Sequence, residues 1–234
     1  MIIKRILMLV HIFIAVPSIG QECMSGNCVD GFGIHVMGKN MYEGNFQDGL
    51  FHGKGTTTWA SGDKYIGDHE NDLPHGKGTL LFPDGREYIG DFHEGVQQGL
   101  GILTYPDGTT YEGEFDEGTF NGQGIYKFGQ ESEWAGDEYE GAYKNGKIHG
   151  KGIYRYSNGS KYIGDFFEGK KHGKGKYYFF SGAIYSGEFR DDRIKGNGSF
   201  ENNEHVTEIC EELLSDYGMT QQQCIKELTD NINQ

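Results

Sequence analysis

Tyr65-Ile66-Gly67-Asp68-His69, then His75-Gly76-Lys77-Gly78-Thr79-Leu80-Leu81-Phe82, then Pro83-Asp84-Gly85: these three stretches decide the fold. The first two have strand length, and side chains alternate across a strand. Tyr65, Gly67 and His69 therefore share one face, and Ile66 and Asp68 the other. Two such segments bounded by Gly-rich and Asp-Gly turn signals read as a β-hairpin. The opening Tyr-x-Gly recurs, with tyrosines at Tyr42, Tyr65, Tyr88, Tyr111, Tyr139, Tyr162 and Tyr185. The step is 23 residues each time except between Tyr111 and Tyr139, where it is 28. A fixed period in this range marks a repeat architecture, in which stability comes from stacked neighbours.

Down the copies, the tyrosine face carries Phe46, His69, Phe92, Phe115, Tyr143, Phe166 and Phe189. The second segments add Trp59, Phe82, Tyr105, Phe128, Tyr156 and Phe179, together with glycines. The opposite face carries Asn45, Asp68, Asp91, Glu114, Ala142, Asp165 and Glu188 and reads as largely charged. Glycine leaves bare backbone in a strand. A neighbouring aromatic ring can cover it, so each tyrosine is expected to shield the glycines beside it. Two strands per copy at ~4.8 Å spacing give a ribbon about 65 Å long.

Beyond Phe200 glycine nearly vanishes, and Val206, Ile209, Cys210, Leu213, Leu214 and Tyr217 fall at helical spacing. Gly218 reads as a helix stop, and Thr220 with Gln223 as a capping box opening a second helix. The predicted fold is thus mostly β: an elongated, single, twisted antiparallel sheet of stacked β-hairpin repeats, closed by a short C-terminal helical hairpin. The expected segments are a signal peptide over 1–20, an N-terminal cap with a partial repeat over 21–41, seven repeats over 42–200, and a helical cap over 201–234. The cap would cover an otherwise unpaired sheet end.

Tyr65-Ile66-Gly67-Asp68, His75-Gly76-Lys77-Gly78 and Gly85, recurring in phase from about Tyr42 to Phe200, resemble the MORN repeat (membrane occupation and recognition nexus). The resemblance implies a continuous twisted sheet of antiparallel hairpins serving as a scaffold or interaction module. It also implies, for some eukaryotic members, attachment to phospholipid or membrane. The His-Gly-x-Gly position is filled by His52, His75, His149 and His172, but by Gln98, Asn121 and Lys195 elsewhere.

Lys4 and Arg5, the apolar run Ile6–Val16, and small residues at Ser18 and Gly20 have the layout of a secretory signal peptide cleaved before Gln21. The run is too short to span a bilayer, which takes about 20 residues. Export to a periplasm or the extracellular space is therefore expected. Loss of Lys4 and Arg5 leaves 19 cations against 35 acids, a formal charge of −16. Such a surface repels nucleic acid and anionic lipid headgroups. It leaves a protein partner as the expectation and a membrane surface as the alternative.

In an exported chain, Cys23, Cys28, Cys210 and Cys224 read as disulfides. Of the three connectivities, the near-neighbour pairs Cys23 with Cys28 and Cys210 with Cys224 are expected. Zinc binding is the alternative, but the chain holds no Cys-x-x-Cys pair.

No catalytic constellation, metal site or cofactor site emerges, and the chain reads as non-enzymatic. Equivalent residues in adjacent copies lie two strands apart, ~9.6 Å. That is too far for the histidine column to share one ion, or for Asp68, Asp91 and Glu114 to share a catalytic pocket. The histidines read as turn residues bonding local backbone. Pairs such as Gly76-Lys77-Gly78 lie between strands and not before a helix, as a phosphate loop requires. Asn158-Gly159-Ser160 and Asn197-Gly198-Ser199 match the glycosylation sequon.

Departures from the period locate the candidate partner contacts. Gly129–Glu138 holds ten residues where other copies have five, with Trp134 among Glu131, Glu133 and Asp137. A tryptophan on a longer loop suits a binding hot spot; the alternative is that it folds back onto the sheet. Aromatic side chains are enriched at interface cores. Tyr126, Tyr154 and Tyr177, in the tyrosine-rich later copies, are the other candidates.

Overall fold

The computed structural model describes residues 21–201. The predicted signal segment, residues 202–234 of the predicted helical cap, and the Cys210–Cys224 pair lie outside the described residues. Sixteen strands form one antiparallel sheet whose spatial order follows the chain. They are β1 (Gln21–Gly26), β2 (Gly31–Met37), β3 (Asn40–Gln47), β4 (Leu50–Thr58), β5 (Lys64–Glu70), β6 (Leu73–Leu81), β7 (Glu87–His93) and β8 (Val96–Thr104). There follow β9 (Thr110–Asp116), β10 (Thr119–Lys127), β11 (Glu138–Lys144), β12 (Lys147–Arg155), β13 (Lys161–Phe167), β14 (Lys170–Tyr178), β15 (Ile184–Arg190) and β16 (Arg193–Glu201). Each Tyr-x-Gly opens the first strand of a hairpin. Strands β1 and β2 extend the sheet ahead of Tyr42, and the Cys23–Cys28 disulfide joins β1 to the turn that follows it.

Two kinds of connection alternate. Within a repeat, the turn is two residues with both φ angles positive, as at Asn71 (51°) and Asp72 (69°), or Glu94 (47°) and Gly95 (85°). This is the type I′ requirement, and its twist matches that of the flanking strands. Between repeats runs a five-residue loop. The Phe82 N–H donates to the Arg86 carbonyl at 2.9 Å and the Gly85 N–H to the Phe82 carbonyl at 3.0 Å.

The two glycines of Gly-x-Gly have different physical reasons. In each repeat hairpin the register shifts just beyond the Tyr-x-Gly glycine, for example between Gly67 and Asp68. That is a β-bulge. Gly76, at the bulge, adopts φ +59°, a region costly for a residue with Cβ. The carboxylate on the partner strand caps the distortion. Asp68 accepts from the Lys77 N–H at 3.4 Å, Asp91 from Leu100 at 3.2 Å, Glu114 from Gln123 at 2.7 Å and Asp165 from Lys174 at 3.2 Å. Gly78 is instead a packing position. A Cβ there would lie closer than 3.0 Å to the Tyr65 ring.

Gly78 pairs with Gly67 on one side and Gly90 on the other, and such pairs continue as a glycine ladder from β2 to β15. Each repeat tyrosine lies flat over one pair. All seven have 0% exposure. The Tyr65 hydroxyl donates to the Asp68 carbonyl at 2.8 Å, and Tyr42, Tyr88, Tyr111 and Tyr162 do likewise at 2.7–3.0 Å. The ring is then covered edge-on from the next repeat, Tyr65 by Phe92 at 4.8 Å and Tyr88 by Phe115 at 4.8 Å. Edge-to-face pairs of this kind add about 0.5–1.5 kcal/mol each beyond area burial. The core is therefore one row of interlocked rings on a single sheet face, and each unit is closed only by its neighbour.

Candidate binding groove

The aromatic face has little free surface left. Tyr177 has 0% exposure, which corrects the expectation that it contacts a partner: it is a core residue. Tyr126, Tyr154 and Tyr177 stand opposite Tyr111 and Tyr139, Tyr139 and Tyr162, and Tyr162 and Tyr185 respectively, in the same row as the repeat tyrosines. Tyr126 is partly buried against Phe120 and Phe128, and burial pushes its phenol up to about 12. Tyr154 is partly buried too, and its hydroxyl donates to Asp137 at 2.7 Å. His69 takes a position held elsewhere by Phe or Tyr. Its Nε2 stands 2.9 Å from the Thr57 hydroxyl, and burial lowers its pKa to about 4, so the ring is neutral.

Trp134 does something of each thing expected of it. Its ring meets Phe128 at 5.7 Å, yet 54% of the residue remains exposed. The loop beneath is held by Asp137, which is buried and also accepts from the Ser157 N–H at 2.8 Å.

The opposite face differs from the charged surface expected of it. Alongside the charged row runs a second row, in register across the strands: Thr56, Ile66, Thr79, Ile89, Ile102, Glu112, Ile125, Glu140, Ile153 and Ile163. Ile66, Ile89, Ile102 and Ile163 are exposed. The glycine ladder between the rows supplies a floor of bare backbone. Together they form a groove of about 1100 Å³ reaching from β2 to β11. A second groove of about 820 Å³ shares Gln123, Glu140 and Gly141 with it and continues to β16.

The charged wall is built from cross-strand pairs. Lys54 meets Asp68 at 2.8 Å, Lys77 meets Asp91 at 2.6 Å and Lys151 meets Asp165 at 2.9 Å. At such exposure each contributes about 0–1 kcal/mol, so the wall is a charge pattern more than a source of stability. Three of the column's histidines contact side chains, not the local backbone expected of them. His75 stands 3.4 Å from the Glu70 carboxylate and 5.1 Å from the His93 ring. His149 and His172 flank Phe167 at 5.1 and 5.8 Å. Within the sequon at Asn158, Ser160 is buried and its hydroxyl accepts the Phe180 N–H at 3.0 Å.

Hairpins joined into an open sheet, with one face interlocked and the other grooved, define a repeat scaffold or binding module. The chain belongs to the MORN repeat family. The family's model matches residues 42–64, 65–85, 88–110, 111–132, 139–161, 162–184 and 185–202, and the unmatched interval after 132 contains Trp134. No curated protein matches the chain. Among solved structures it is similar to the G-box domain of the microcephaly protein CPAP, at 12% identity and TM-score 0.41, over 78% of this chain and 98% of that one. It is also similar to the wild-type TCP10 domain of Danio rerio CPAP, at 13% identity and TM-score 0.30, over 75% and 90%. Likeness at this level carries no conclusion about function.

Proposed function

We propose that the chain is an exported, non-enzymatic scaffold that holds a segment of a partner protein in the groove between the isoleucine row and the charged row. The observation that carries this is the exposed isoleucine row beside a floor of glycine backbone. Monomeric proteins rarely leave contiguous apolar surface open unless it binds something. A backbone floor also lets a partner approach closely. Export is supported by the basic and apolar N-terminal layout, and by a disulfide at Cys23–Cys28 of the kind that oxidising compartments favour.

The test is photocrosslinking from position 89, with the mature chain in the extracytoplasmic fraction of its own cells. A discrete adduct is expected, and Ile66→Ser with Ile102→Ser should abolish it while Trp134→Ser leaves it. If Trp134→Ser abolishes it and the groove changes do not, the interface is the loop around Trp134. Recovery of the chain inside the cell with residues 1–20 attached would overturn export. Retention on neutral liposomes at moderate salt would favour the membrane-surface reading instead.

A further inference from the structure

The charged wall is not uniform, and its interruption at the middle of the sheet points to the chemistry of the partner. On either side of the middle of the sheet, the acid of a repeat's first strand faces a lysine on the preceding strand: Lys54 and Asp68, Lys77 and Asp91, Lys151 and Asp165, Lys174 and Glu188. From β8 to β11 the pattern fails. Leu100 stands where a lysine would face Glu114, and Gln123 stands opposite Ala142. Glu114 accepts a backbone N–H from Gln123, and neither it nor Glu112 forms an ion pair among the described residues. In the other row, Glu112 lies in register between Ile102 and Ile125. Leu100 is 62% exposed. The centre of the groove therefore sets two uncompensated carboxylates among three aliphatic side chains.

We infer that the groove's centre, over β8 to β11, binds a protein segment in which apolar side chains alternate with lysine or arginine. The inference rests on the proposed function and adds the partner's chemistry. Charge complementarity selects this occupant. An acidic segment would meet Glu112 and Glu114 with nothing to offset them, whereas a cation there gains two carboxylates. Like charges brought together across an interface disfavour wrong partners, and complementary ones raise the association rate. This chain's own segment 202–234 has seven acids against one lysine, which makes it a poor occupant of this part of the groove. Three strand spacings separate β8 from β11, about 15 Å, room for four or five extended residues laid across the strands.

The test uses two synthetic ten-residue peptides, one alternating leucine and lysine and one alternating leucine and glutamate, with binding to the mature chain followed by fluorescence anisotropy. The lysine peptide is expected to bind at least tenfold tighter. Leu100→Lys with Gln123→Lys, which completes the lysine row on exposed positions, should weaken it at least tenfold. Glu131→Gln with Glu133→Gln, on the loop bearing Trp134, should leave it unchanged, and urea midpoints confirm that all variants are folded. Equal binding of the two peptides, both weakened by Ile102→Ser with Ile125→Ser, would overturn the charge inference and leave the groove reading standing. Binding of the lysine peptide that none of the groove changes affects would overturn both, as would binding of neither peptide.

Discussion

Tyr88 and Ile89 are consecutive residues of β7, one with no exposed surface and the other half exposed. Every repeat makes this division, and the two faces it creates solve different problems. On the tyrosine face each ring from Tyr42 to Tyr162 is fixed from three sides: by a glycine pair beneath it, by a hydroxyl bond to the backbone, and by a ring from the next repeat. On the groove face the side chains touch little, and the charged pairs lie near solvent. Stability is thus concentrated on one face, leaving the other free to vary in sequence. Accordingly the repeat tyrosines never change, whereas the row containing Ile89 includes Thr56, Glu112 and Glu140.

The sharpest way to break this contrast is to substitute two adjacent strands, one on each face. Gly78→Ala places a methyl group inside the space of the Tyr65 ring, and the clash is with a ring locked in the core. A loss of about 3 kcal/mol is expected, in the upper part of the range for overpacking. Ile89→Ser, on the neighbouring strand but on the groove side, should stay within about 0.5 kcal/mol. Urea unfolding of both variants measures the difference. Similar losses would mean that the groove face carries structural load and is not reserved for a partner.

Much of the tyrosine face was legible in the sequence because strand alternation is a strict rule. Knowing Tyr65 and its period, the places of Gly67, His69 and their counterparts followed. The bulge was not legible: Gly76 and Gly78 look alike in the string, yet one is required by its φ angle and the other by a ring above it. Nor were turns such as Glu94-Gly95, since glutamate rarely adopts a positive φ. Tyr177 looked available because a single-layer sheet suggests an open face. Its burial comes from rings of neighbouring strands, which depends on register across repeats. The groove escaped for the related reason that Ile66, Ile89 and Ile102 are far apart in sequence and meet only when hairpins stack in phase. Asp68 and its kin looked like plain solvated acids, because the backbone N–H groups they cap are exposed only by the bulge.

A smaller effect should come from the imidazole that stands in line with Phe46 and Phe92. His69 in the folded chain titrates near 4, below the ordinary value near 6.5, because its ring is buried. The unfolded chain therefore takes up the proton first as pH falls. Stability associated with His69 is complete above about pH 6.5 and is lost progressively down to about pH 4, by ~2–3 kcal/mol in all. Phe occupies this place in five other repeats, and His69→Phe should remove that component of the pH dependence. Urea midpoints at pH 7.5 and pH 4.5 should diverge less for the variant than for the parent. Equal divergence would show that the tyrosine face is no more sensitive to protonation at this position than elsewhere.

The smallest effect tests what admits a polar group to that face. Repeat tyrosines such as Tyr65 and Tyr88 donate their hydroxyls to the backbone, and their rings lie flat as a result. Tyr143 occupies the row of Phe92, Phe115 and Phe166, and its hydroxyl is buried without a hydrogen-bond partner among the described residues. Burial drives its phenol pKa well above the ordinary value. An unsatisfied buried hydroxyl costs about 1–3 kcal/mol, and Tyr143→Phe removes it while keeping the ring's contacts with Tyr111 and Tyr139. The variant should be more stable by about 1 kcal/mol, seen as a higher urea midpoint with an unchanged slope. Tyr88→Phe makes the same chemical change where the hydroxyl is satisfied, and it should destabilise by about 1 kcal/mol, leaving the Asp91 carbonyl without its donor. Opposite signs for one substitution at two places on one face would establish that the hydroxyl bond, and not the ring alone, fixes the repeat tyrosine over its glycines.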